Sequence, residues 1–396
     1  MNWLDELVAQ HAEFEAPLSF WRWAGLVSIA AVLRDTVWLD KFQYKLYPNI
    51  YVMLHADSGL KKGPPVNLAK RLVNAVNNTR VITGRSSIQG ILKELGTGET
   101  RPGGIVINKA VAFICSSELT ASLVNDPQAM GILTDLYDRI YNEGNYRSLL
   151  KMESFNIKDP TICMLTATNE AHSEEFFVKK DIQGGFFART AIIYERKRNK
   201  INSLMFKPVN PPNYEKSIAY LREIAKLSGE FTIDTEDRQF FDKWYHGFKE
   251  FTDKGEKDST GTLNRFDDTV LKIAMLNSLA EAPELHITRK AIETAITQCE
   301  QLVGNIRKTT LGRGKNEFGP QMALLMTELV ERDNHAITRQ QWHRKHWDKA
   351  SSTDWDEMAK SLEAGKIIAI ESIGNQVVYT MTEEMAETLR EHFKGK

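Results

Sequence analysis

Residues able to grip a phosphate stand together in YPNIYVMLHADSGLKKGPPVNLAKRLVNAV (47–76). A short apolar run ending at Leu54 reads as a buried strand, a turn follows, and an amphipathic helix opens behind Pro64 and Pro65. A strand, a glycine-and-lysine turn and a helix N-terminus are the parts of a phosphate loop, in which backbone N–H groups face the phosphate and a lysine neutralises it. With Lys62 as that lysine, Ser58, Gly59, Lys61 and Gly63 complete the loop. Ala56, Lys61 and Gly63 replace the first glycine, the second glycine and the hydroxyl of the usual pattern. An ordinary strand-to-helix turn is the alternative reading of the same residues.

Three further constellations bear on the choice. The apolar run 111–115 ends in Ser116, Ser117 and Glu118. Glu118 would polarise an attacking water and Ser117 would reach Mg²⁺ through its hydroxyl. A second run, 161–166, leads into Thr168 and Asn169, polar groups placed to sense a γ-phosphate. Arg189 stands before the last apolar run, where ring ATPases offer an arginine to a neighbour's nucleotide. Taken singly, Glu118 reads as a helix-start carboxylate and Arg189 as a surface arginine. Taken in order, the four describe an ATP site.

The elements that must position these residues alternate. Strands are expected at 50–54, 80–83, 111–115, 161–166 and 190–194, with helices at 65–76, 87–95, 118–124 and 130–141 between them. Such alternation predicts a mostly parallel α/β sheet with helices on both faces. Helices are expected before it (1–36) and after it (206–315), the latter with no convincing strand. Three helices and a hairpin (366–371, 376–381) suggest a small winged-helix domain over 316–396. The ATPase core then occupies 37–205 and the helical region forms a lid.

With 396 residues, 42% hydrophobic and 26% charged, the chain can bury a large core in two or three domains. A net charge of −1 excludes a global basic field, so nucleic-acid contacts need local patches. Three scattered cysteines give no disulfide framework or zinc pattern. The early apolar stretch ends at Arg34 and Asp35, too short to span a bilayer, and a soluble cytoplasmic protein with no membrane partner is expected.

Basic patches occur at 196–200, at Arg307, Lys308, Arg313 and Lys315, and at 339–349. In the last, Arg339, Arg344 and Lys345 alternate with Trp342 and Trp347, a mixture suited to phosphates and base stacking. Asp354, Asp356 and Glu357 on the following helix would repel phosphates, which leaves a protein partner as the alternative to DNA. Arg147 and Lys151 are candidate strand contacts on a hairpin, which reads equally as a solvated turn.

The loop at 58–63, Ser117-Glu118-Leu119, Gly185-Phe186-Phe187-Ala188-Arg189, and the stretches Glu15-Ala16-Pro17, Phe20-Trp21-Arg22-Trp23 and Tyr47-Pro48-Asn49 resemble the ATPase core of phage and prophage primase–helicase-like proteins. The resemblance covers about residues 15–310 and implies a RecA/AAA+-type P-loop ATPase of phage DNA replication, working as a ring, a hexamer, in a bacterial host. It implies ATP and Mg²⁺ as cofactors, Lys62 as the phosphate lysine, Glu118 as the catalytic carboxylate, Arg189 as the arginine finger and Arg265 as a second phosphate sensor. The expected activity is that of a DNA helicase on single-stranded or forked DNA, with a replication protein as a possible partner of the winged helix. The alternative is a nucleotide-dependent helicase loader or DNA-binding assembly factor with weak hydrolysis, which the departures at Ala56, Lys61, Gly63 and Ser117 favour.

Overall fold

A computed structural model describes residues 2–76, 79–84, 86–97, 99–100, 106–107, 109–118, 123, 126, 128–138, 145–149, 154–169, 185–202, 211–254, 261–310 and 318–394. The chain divides into two compact units, Met1–Cys299 and Glu300–Lys396.

Five strands form the centre of the first unit: β1 (Tyr51–Ala56), β2 (Arg80–Thr83), β3 (Val111–Ser116), β4 (Thr161–Thr168) and β5 (Thr190–Glu195). They lie in the order β5-β1-β4-β3-β2, and every neighbouring pair is parallel. β1 and β4 are buried at every position, which is the run of apolar residues that a sheet covered on both faces requires. The α/β expectation is met, and the five expected runs are the five strands.

Helices on the two faces can be told apart by register. Val52, Leu165 and Cys115 are aligned across β1, β4 and β3 and share one face. There Cys115 Sγ donates to the carbonyl of Val66 on α3 (Gly63–Asn74), with α1 (Trp3–Ala9) and α2 (Leu18–Leu33) preceding it in the chain. Tyr51 points the other way, and its hydroxyl donates to Leu133 O of α5 (Ala129–Tyr137), which follows α4 (Ile88–Gly96). α2 packs on α3, β1 and β4, and thirteen of its sixteen residues are buried, so it is a core helix apolar all round.

After the sheet come α6 (Tyr214–Ile224), α7 (Thr235–Lys254), α8 (Phe266–Glu281) and α9 (Arg289–Thr310). This region also contains short strands. Gly229–Glu230 pairs with Val37–Asp40, and Thr232–Ile233 with His286–Ile287. Two-residue strands span a single period of alternation, too short to show a repeat, which is why the sequence pattern misses them.

α8 carries a lysine into the core. Lys272 Nζ donates to Asn49 O (3.0 Å) and Asn49 Oδ1 (2.9 Å) and sits 4.0 Å from the centre of the Tyr137 ring. Burial pulls its pKa down to about 8, although Asp268, Asp138 and Cys163 act to raise it. An unfolded lysine titrates near about 10.4. Between those values the unfolded chain holds more protons than the folded one, so stability rises with pH. Relative to Lys272→Met, the wild type is expected to gain roughly 2–3 kcal/mol between about pH 7 and pH 10 in urea unfolding. A difference that stays flat across that window refutes it.

In the second unit α10 (Gly319–Glu331) leads to β6 (Ala336–Thr338), α11 (Arg339–Lys345), α12 (Ser352–Ala364), the hairpin β7 (Ile368–Ile373) and β8 (Gln376–Met381), and α13 (Glu383–Lys394). The three strands are antiparallel in the order β6-β8-β7. Capping boxes at Thr338 and Ser351 start α11 and α12. Trp342 and Trp355 meet edge to face at 5.0 Å in the core, together with Tyr379, Leu325 and Leu329. Trp347, by contrast, is 78% exposed. Among the described residues, no helix is long and apolar enough to cross a membrane.

Candidate functional site

Most of the candidate residues follow the carboxyl ends of the strands. Connections after β2, β3 and β4 each step toward the β5 edge, whereas the one after β1 steps the other way. The loop after β1 therefore sits where the winding reverses, the place where open α/β sheets bind ligands.

That loop bends through Gly59 at φ 91° and Lys61 at φ 55°, both left-handed. Gly59 adopts this freely; Lys61 does so against its Cβ. Lys62 folds back over the loop, and its Nζ donates to Ala56 O (2.6 Å) and Asp57 O (2.9 Å). Burial lowers the Lys62 pKa, while the charges of Asp57 and Glu118 raise it. Lys62 and Glu118 thus feel each other across the end of β4. Lys61 turns away toward Glu15, 3.7 Å from its carboxylate. Ser58 is exposed on the turn.

Gly63, Pro64 and Pro65 open α3, and Lys62 at its N-cap supplies no side-chain cap. Of the first four backbone nitrogens only those of Gly63 and Val66 carry hydrogens, so this helix end offers fewer donors to an anion than most. Gly63 also offers no hydroxyl to a metal.

Glu118 and Ser117 are exposed just beyond β3, and Ser116 Oγ bonds the carbonyl of Glu118. Most of the helix expected at 118–124 lies outside the described residues. Asn169 follows β4, whose Thr168 is aligned with His55 of β1. Deeper, Thr166 is aligned with Ser116; its hydroxyl is buried and has no hydrogen-bond partner among the described residues. Loop, Asn169 and Ser117-Glu118 therefore share one edge of the sheet, from adjacent strands. For Mg²⁺, Ser117 and Glu118 are suitable oxygen donors at that edge, and the loop adds none at position 63.

Arg189 and Arg265 lie elsewhere. Arg189 precedes β5 and so sits at the amino edge of the parallel sheet, opposite Lys62. Its side chain is 8% exposed and is locked to Asp138, with Nε donating to Oδ2 at 2.8 Å and Nη2 closing a second bond, while Nη1 donates to Gly185 O (2.8 Å). Arg265 Nη1 reaches the other oxygen of Asp138 at 3.4 Å. A small pocket here is lined by these three residues with Lys45, Asp268 and Lys272. Neither arginine is brought to the loop of its own chain.

The basic patches are mostly spoken for. Arg198 pairs with Glu15 (3.1 Å) and Lys200 with Glu13 (2.7 Å). Arg339 makes a two-pronged pair with Asp356 (2.6 and 2.5 Å), and Lys345 reaches Glu328 at 2.6 Å. Arg344 is exposed and makes no ion pair with a described residue. Arg147 lies on the strand Asn145–Leu149, which pairs with Ser154–Lys158. Lys151 and the basic connector at 313 and 315 are outside the described residues. Sequence reading missed the tie between Glu15 and the loop; with more than forty residues between them, no local pattern signals it. Compared with known proteins, the chain matches no family model and no curated protein.

Proposed function

We propose that the chain is a P-loop-type ATPase that binds ATP at the loop between β1 and α3. One observation carries the reading: Lys62, at the winding reversal of a five-stranded parallel sheet, shares that sheet's carboxyl edge with Glu118 from the second strand over. Lys62 releases its two carbonyls to take the phosphates, and Asn169 lies between loop and acid to read the terminal one. Glu118 accepts the proton of the attacking water. Bound Mg²⁺, held through Ser117 and the phosphates, would neutralise charge on the nucleotide.

Within that reading the chain is a DNA helicase or translocase that works as a ring. The order helix, strand, helix, helix and hairpin in Glu300–Lys396 suits a winged helix, with α12 as its second long helix. Arg189 serves a neighbouring copy's nucleotide only by leaving Asp138. A nucleotide-dependent loader with weak hydrolysis is favoured by one specific observation, the pair of prolines and the missing hydroxyl at the start of α3. ATP hydrolysis by the full chain, with and without single-stranded DNA, separates the two. Turnover stimulated by DNA is the helicase outcome; ATP binding with negligible turnover is the loader outcome; no binding at all removes both.

A further inference from the structure

The loop is short of donors, and an arginine from elsewhere in the chain stands beside it. β5 is aligned with β1 so that Glu195 lies opposite Ala56, and residues 196–198 therefore leave the sheet at the same edge as the loop. The chain there is pinned. Asn199 N donates to Glu15 O (3.0 Å), and its Nδ2 donates to Ala12 O (2.9 Å) and Phe14 O (3.1 Å). This holds Arg198 against the turn, where a Cβ built on Gly59 would lie 3.7 Å from Arg198 Nη2. The other end of the guanidinium meets Glu15 Oε1 at 3.1 Å, and Glu15 Oε2 lies 3.7 Å from Lys61 Nζ. One carboxylate, 14% exposed, thus occupies two cations that flank the phosphate turn.

We propose that Arg198 is a phosphate contact of the loop, and that Glu15 holds it until a nucleotide polyphosphate takes the carboxylate's place. The inference rests on the nucleotide reading above and adds a residue and a displacement to it. Two of the first four backbone donors of α3 are missing at Pro64 and Pro65. A guanidinium supplies two hydrogen bonds in a fork that matches a phosphate as well as it matches a carboxylate. Swapping one anion for another needs only a side-chain rotation, because Asn199 stays tied through its backbone N–H to Glu15 and through its side chain to Ala12 and Phe14. Lys61 is released by the same exchange.

The test is ATP affinity by calorimetry on the full chain, comparing wild type with Lys62→Ala, Arg198→Ala, Arg198→Lys and Glu15→Gln. Arg198→Ala is expected to weaken ATP about tenfold or more, the loss of charge-assisted bonds, and Arg198→Lys to recover part of it. Glu15→Gln is expected to tighten ATP, because the competing carboxylate is gone. Wild-type affinity in Arg198→Ala beside a loss in Lys62→Ala overturns the Arg198 assignment and leaves the nucleotide reading standing. Failure of the wild type to bind ATP removes that reading, and this inference with it. Should Arg198→Ala not fold, Glu15→Gln decides alone: unchanged or weaker binding overturns the displacement.

Discussion

Lys62→Ala is expected to abolish ATP binding, and Glu118→Gln to keep binding while turnover falls by at least about a hundredfold. The two substitutions act on one edge of the sheet and differ in the step they remove. Lys62 places its charge above the turn, held by Ala56 O and Asp57 O. Those carbonyls are weak acceptors beside a phosphate, so a nucleotide draws the ammonium away from them at small cost. Without it, the phosphates lose the cation seated over the turn and meet a helix start blocked at two positions. Glu118 is exposed and makes no ion pair with a described residue, which suits a group that must accept a proton and release it. Its amide replacement keeps the shape and loses the basicity. Equal loss of binding in both variants would make Glu118 a ligand rather than a base; unchanged turnover in Glu118→Gln would remove it from the chemistry. Thermal unfolding of each variant guards against a collapsed loop, since Lys62 also ties the turn together.

Much of this edge is legible in sequence because its parts are local. β1 and β4 are mostly apolar runs buried throughout, and loop, Asn169 and Ser117-Glu118 each follow directly on a strand. In a parallel sheet all residues that follow strands share an edge, so their meeting is implied once the sheet is recognised. The same rule places Arg189 at the opposite edge, because it precedes β5. What sequence cannot carry is the strand order, which brings β4 between β1 and β3 through contacts far apart in the chain. It cannot carry charge pairing either. Arg198 and Lys200 read as an open basic patch until Glu15 and Glu13, nearly two hundred residues earlier, are folded against them. Arg339 and Lys345 read the same way until Asp356 and Glu328 close on them. Trp342, grouped with Trp347 as a stacking residue, instead fills the second unit's core with Trp355, while Trp347 stays exposed.

Asp138→Ala is expected to cost the first unit about 3–5 kcal/mol of stability, the penalty for removing one partner from a buried charge pair. Asp138 is 9% exposed and answers two guanidiniums, Arg189 and Arg265, with Lys272 buried nearby. Its loss leaves four cations, Lys45, Arg189, Arg265 and Lys272, around a pocket with Asp268 as the remaining carboxylate in its lining, and Asp268 is already engaged by Lys41 (2.6 Å) and Tyr44. Gly185 shows how closely the arginine is seated: a Cβ there would stand 2.7 Å from Arg189 Nη1, and its φ is +82°. Arg189 therefore has little room to relax toward water when its carboxylate goes. The double substitution Asp138→Ala with Arg189→Met removes the orphaned charge and is expected to recover more than half of the loss. Urea unfolding of the three chains reads both numbers. A single-variant cost under about 1 kcal/mol would mean that the pair is hydrated and weak. ATP affinity supplies the sharper reading, because this cluster lies at the amino edge and Lys62 at the carboxyl edge. If folded Asp138→Ala binds ATP and keeps its DNA-stimulated turnover as the wild type does, the cluster is structural within one chain. If the variant binds normally and its DNA-stimulated turnover rises, an Arg189 released from Asp138 is serving a neighbour's nucleotide and the ring arrangement gains its support.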